Sequence, residues 1–306
     1  MKRGTGTFTR SSVRMVMLAS PLTWAIIKRT KNKKPVFFAL LFRHLLPTKH
    51  MKRNTGEEGR PGYKRACHLA AQEGNLEELK RAREKGCPWD SETCDLAAAG
   101  GHLEVLQWLR TNGCPWNERA CLFAAAHGHL EVLQWLRVNG CPWSEAACAY
   151  AARNGMLEVL TWLREQGCPW NKERCFVWAV QGGHLEVLKW MHGKAGCTWD
   201  DDTCWTTAEY GHLRVVKWLR ENGCPWDERT CSGAAHNGHL ELLRWARASG
   251  CPWDESTCAR AAENGHLELL QWARANGCPW DWQTCAKAEE NGHMEVLRWA
   301  RENGCP

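Results

Sequence analysis

A single period constrains this chain more than any other feature. A Gly-Cys pair recurs at Gly86, Gly113, Gly140, Gly167, Gly196, Gly223, Gly250, Gly277 and Gly304, with every step 27 residues long except one of 29. A fixed period of this size belongs to stacked-repeat architectures, in which a unit buries its apolar faces only against its neighbours. Residues 223–253 show the unit: GCPWDERTCSGAAHNGHLELLRWARASGCPW. The long step holds two one-residue insertions, one near Trp178 and Gly182 and the other near Gly193. About nine units therefore fill residues 61–306, and residues 1–60 form a separate leader.

Each unit reads as two short helices. The first covers stretches such as DERTCSGAAHN, with Asp227 as N-cap and acid in the first turn. The second covers LELLRWARASG and stops at Gly250. In the second helix Leu103, Val105, Leu106, Trp108 and Leu109 span more than one apolar stripe, the pattern of a helix buried on both sides in the middle of a stack. The small Ala-Ala pair in the first helix lets neighbouring helices approach closely. The fold class expected is all-α: an elongated helix-turn-helix solenoid behind a mostly irregular basic leader.

The run TCxxAAxNGHLEVLxWLRxNGCPW resembles the ankyrin repeat. Cys231 stands at the Leu place of that family's first motif. Ala234, Ala235, Gly238 and His239 match its Ala-Ala pair and Gly-His turn, and Cys251 and Trp253 take the small and apolar places after the turn glycine. The unit departs from the family by being about six residues shorter than ~33, where a β-hairpin would project, and by lacking Thr-Pro-Leu-His. The resemblance implies a non-catalytic protein-binding module that holds another polypeptide on a concave surface lined by the first helices. The hairpin tips that usually share in such binding are missing.

Cysteine and histidine at fixed spacing raise the question of metal, redox or catalytic chemistry. Cys224, Cys231 and His239 follow Cys-x6-Cys and Cys-x7-His spacings, not the close pairs that converge on one zinc ion. Equivalent cysteines in successive units are expected roughly 10 Å apart, the helix packing distance. A disulfide ladder needs Cys224 and Cys231 within about 7 Å at Cα. A catalytic Cys–His pair should differ from its copies, and none does. The preferred reading is that the cysteines and tryptophans are core, with no cofactor, no metal and no enzyme. A metal- or redox-responsive cysteine-rich repeat protein is the alternative.

Charge narrows the partner. Of the 40 basic and 34 acidic residues, 14 and 2 lie in residues 1–60, a balance of +12 that leaves residues 61–306 at −6. A repeat region of that sign disfavours nucleic acid, which needs clustered Lys and Arg. Function is then sought where the units differ, at the places one, two, five and six residues after the first-helix cysteine. These hold Leu122, Phe123, Tyr150, Arg153, Phe176, Trp205 and Glu209 in the middle units, with Trp178 beside Phe176 near the insertion, and Arg260 and Lys287 later. An aromatic cluster with a charged continuation is the composition of an interface. The competing reading is that these side chains fill gaps between first helices.

At the ends, the first unit carries Arg81 where later second helices have Trp, as a polar cap would. Trp299 and Leu297 in the last unit are expected to be poorly covered, which leaves self-association through that end open. Residues 1–56 lack Asp and Glu and contain two apolar runs, 15–27 and 36–46, too short to span a bilayer comfortably. Organelle import through this leader, a secretory signal and a basic tail touching a membrane surface are the readings, with the cytoplasm the expected location otherwise.

Overall fold

The computed structural model describes residues 61–200 and 202–306, with the expectations for residues 1–60 lying outside them. Eighteen α-helices and no strand occur among the described residues. They form nine consecutive pairs. The first helices span Pro61–Gln72, Ser91–Gly100, Glu118–Ala126, Glu145–Arg153, Lys172–Gly182, Thr203–Glu209, Glu228–His236, Glu255–Glu263 and Trp282–Glu290. The second helices span Leu76–Glu84, Leu103–Thr111, Leu130–Val138, Leu157–Glu165, Leu185–Ala195, Leu213–Glu221, Leu240–Ala248, Leu267–Ala275 and Met294–Glu302.

Local chemistry sets these boundaries. Asp90, Asn117, Asp227, Asp254 and Asp281 each accept a hydrogen bond from the backbone N–H two residues on, which satisfies a donor the helix itself leaves unpaired. Second helices end in a Schellman turn: Cys114 N–H reaches Leu109 O at 2.9 Å and Gly113 N–H reaches Arg110 O at 3.1 Å. Gly113 sits at φ +79°, where a β-carbon would strain the turn. The two insertions are absorbed inside the fifth unit, whose helices each run to eleven residues instead of nine.

First helices stack directly on one another through fully buried alanines such as Ala124, Ala125, Ala151 and Ala152. Second helices pack on the first helix of their own unit through Val105, Leu106 and Leu109 and their equivalents, and hardly touch each other. They are thus an outer layer, not the middle layer that their broad apolar face predicts. That breadth has another cause. The space between successive outer helices is filled by tryptophan: Trp89 of one Cys-Pro-Trp turn meets Trp108 of the next outer helix edge-on at 5.6 Å. Arg83 stacks on the other side of Trp89 at 4.0 Å and donates to Cys87 O at 2.9 Å. This Arg–Trp–Trp column recurs through Trp116–Trp135, Trp143–Trp162, Trp253–Trp272 and Trp280–Trp299. Where the arginine is replaced by His192, the imidazole stacks on Trp199 at 4.7 Å and bonds Cys197 O at 3.0 Å.

The last unit differs from expectation. Leu297 is buried, because it faces the first helix of its own unit and needs no follower, and Trp299 is half-buried against Trp280. The exposed apolar groups there are Trp282 and Met294, 64% and 58% exposed.

Candidate functional site

The variable places of the first helix do line one layer, but they are not equally available. Phe123 and Phe176 are 8% and 4% exposed, so they fill the space between first helices and do not join an open aromatic cluster. Leu122, Tyr150, Arg153, Trp178, Trp205 and Glu209 are half-buried. Tyr150 and Trp178 meet edge-on, centroids 5.0 Å apart, and the Arg153 guanidinium stands 5.4 Å from the Trp178 ring. Trp205 is partly held down on the next unit: a β-carbon added to Gly233 would lie 2.7 Å from its ring. Arg260 and Lys287 are brought together by Glu263, at 2.9 and 3.4 Å, so the charged continuation is largely self-neutralised.

Three residues on this layer escape a reading confined to the middle units. Leu69 and Leu96 stand two places after their helix cysteine, as Phe123 and Tyr150 do. They extend the apolar column towards the first unit, Leu69 exposed and Leu96 half-buried. Asp95, one place after Cys94, is buried with neither carboxylate oxygen hydrogen-bonded. The signal for Asp95 was available, since no other unit puts an acid at that place.

The residues of the Cys/His pattern are occupied in holding units together. Seventeen of the eighteen cysteines are buried and Cys305 is half-buried. The cysteine facing Cys224 is Cys204, twenty residues earlier, and not Cys231. Most turn histidines bond a backbone carbonyl of the preceding unit through Nε2, as His102 does to Gln72 O and His129 to Ala99 O, both at 2.9 Å. In the fourth unit Met156 replaces the histidine, and Asn154 Nδ2 donates to Ala126 O at 2.8 Å instead. Among the described residues one group, His68, Asp90 and Glu92, brings ligand-type atoms within 4.8 Å of one another. Its Asp90 Oδ1 is already engaged, 3.2 Å from His68 Nε2 and accepting from Glu92 N at 3.1 Å as the helix cap.

A family model described as "Ankyrin repeats (many copies)" matches residues 94–137, and the same spacing and helix pairing recur through the other units. Residues 94–137 match the ankyrin repeat family. The ankyrin repeat domain of human ASB11 is similar in structure, at 20% identity over 52% of this chain and 84% of that one, with a TM-score of 0.43. No curated protein sequence matches the chain significantly. Ankyrin repeats serve generally as protein–protein interaction scaffolds and are typically non-catalytic.

In these units the histidine ring of one repeat rests on the turn glycine of the repeat before it. At Gly238, φ is +75°, and an added β-carbon would lie 2.7 Å from His266 Nδ1. Gly238→Ala should therefore combine left-handed backbone strain with displacement of His266 from His236 O. We expect it to destabilise the array by about 2–3 kcal/mol. Equilibrium denaturation checks this, and an unchanged midpoint would refute the seating.

Proposed function

We propose that this ankyrin array is a non-catalytic scaffold that binds a partner polypeptide on the first-helix face of its middle units. The observation that carries the reading is the Tyr150–Trp178 pair with Arg153 beside it, half-exposed where the repeats otherwise vary. Large aromatics and arginine dominate binding energy when a partner desolvates them, and their rigidity keeps the entropic cost of contact low. Leu122, Trp205 and Glu209 border the pair, and Leu69 and Leu96 continue its apolar character. Cytoplasmic location, with import through residues 1–56 as the alternative, belongs to the same proposal.

The test compares affinity capture by the full chain with capture by a Tyr150→Ala, Trp178→Ala variant. Both residues are half-buried at the edge of the first-helix layer, Trp178 against the core, and truncating them leaves the buried alanine contacts between first helices in place, so the variant should keep its circular dichroism spectrum. We expect at least about thirtyfold weaker capture of the wild-type partner, about 2 kcal/mol. Equal capture by a folded variant would remove this face as the binding site.

A further inference from the structure

The sixth unit breaks the pattern of the array in several independent ways. Its first helix, Thr203–Glu209, is the shortest of the described helices at seven residues, and its N-cap residue Asp202 makes no side-chain cap bond. That helix packs less closely on the preceding first helix than any other neighbouring pair does. The apolar core divides here as well: Cys204, Val215, Leu219 and Cys224 continue the core of the earlier units, whereas Ala208 and Val216 belong to that of the later ones. Such a seam is where local opening costs least in a chain of nearest-neighbour contacts.

A thiol pair sits at this seam. Cys204 Sγ lies 3.0 Å from Cys224 Sγ, with both residues fully buried. Other units set the helix cysteine against the turn cysteine twenty residues on as well, as Cys94 against Cys114, Cys121 against Cys141 and Cys231 against Cys251, so it is the seam that singles this pair out. Among turn cysteines, Cys114, Cys141, Cys251 and Cys278 give their S–H to the carbonyl of the N-cap residue 24 places earlier, at 3.3–3.4 Å. Cys224 is turned to Pro225 O at 3.6 Å, as Cys87 of the first unit is to Pro88 O.

We propose that Cys204 and Cys224 are a redox-modifiable site, closing to a disulfide ahead of every other cysteine pair in the array. With hydrogen peroxide as oxidant, two S–H bonds and the O–O bond break, and one S–S bond and two O–H bonds form. The sulfurs are oxidised, and the peroxide oxygens leave as two molecules of water. Buried thiols are ordinarily inert, so the reaction proceeds through opening at the seam, and this selects the pair. The new bond ties the first helix of the sixth unit to the turn that ends that unit, and so fixes the seam covalently.

The experiment uses the full chain, fully reduced, titrated with hydrogen peroxide, trapped with N-ethylmaleimide and mapped by peptide mass spectrometry. The first cross-linked peptide is expected to join Cys204 to Cys224, lighter by two hydrogens and restored by dithiothreitol, while the other sixteen cysteines still take up maleimide. Closure of another pair first, linkage of Cys204 to a different cysteine, or eighteen alkylated thiols throughout the titration would each overturn the proposal. The order of closure is read on the wild-type chain, so the result does not depend on how variants fold. In a folded Cys204→Ser chain the first oxidation event should be lost without substitution by another pair.

Discussion

Asp95→Leu is expected to stabilise the array by about 3 kcal/mol at pH 8, with most of the gain gone at pH 4. Asp95 is buried in the first helix of the second unit, and its nearest compensation is Arg119 Nε at 3.3 Å, on a side chain 53% exposed. Burial pushes its carboxyl from 3.8 up to about 7. Arg119 opposes the rise, and Glu92, Asp90 and Glu118 add to it. Between those values the folded chain holds a proton that the unfolded chain has released, so stability falls as pH rises through the window. The full shift corresponds to about 4 kcal/mol, and solvent at the Arg119 side screens part of it. Leucine suits the place, since Leu122 occupies it one unit later. Urea denaturation of both proteins at the two pH values decides. A variant no more stable than wild type at pH 8 would show that Asp95 is adequately solvated.

The contrast between Asp95 and its neighbours shows what a sequence of this kind reveals. Features set by near-neighbour chemistry are legible: Asp227 caps its helix, Gly250 ends one at φ +84°, and Cys231 lies in the core. Those set by another unit are not. Spacing gives the direction in which Phe123, Tyr150 and Trp178 project, but the cover over each depends on side chains 27 or more residues away. One direction therefore yields a buried Phe123 and a half-exposed Tyr150. Likewise the approach of Cys224 to Cys204 follows from how the turn folds back over its own first helix, a contact across twenty residues that seven-residue spacing to Cys231 conceals. The outer tryptophans are packing, as their regular recurrence implies, yet their pairing across units explains an apolar breadth that periodicity assigns to a middle layer.

The turn histidines should make the array acid-labile, and one substitution separates this cause from general charge repulsion. Burial holds His129, His184, His239 and His266 below the usual imidazole value, and hydrogen bonding to the preceding unit's backbone only partly offsets it. Their contribution to stability is complete above about pH 6.5, where the unfolded chain's imidazoles are neutral too. It is lost as pH falls below that value through the folded-state titrations, because the unfolded chain takes up protons first. Each ring adds up to about 1.4 kcal/mol per pH unit to the slope. The fourth unit supplies the control. There Met156 takes the histidine's place and an asparagine two residues earlier caps the carbonyl. The seventh unit already has both parts: Asn237 Nδ2 donates to Glu209 O at 2.8 Å alongside His239 Nε2 at 3.1 Å. His239→Met should therefore keep Glu209 O bonded and leave stability at pH 8 within about 1 kcal/mol of wild type. Below pH 6.5 its loss of stability should be shallower by one proton's worth. Denaturation midpoints measured from pH 8 to pH 5 would contradict the histidine origin if the two chains fell in parallel.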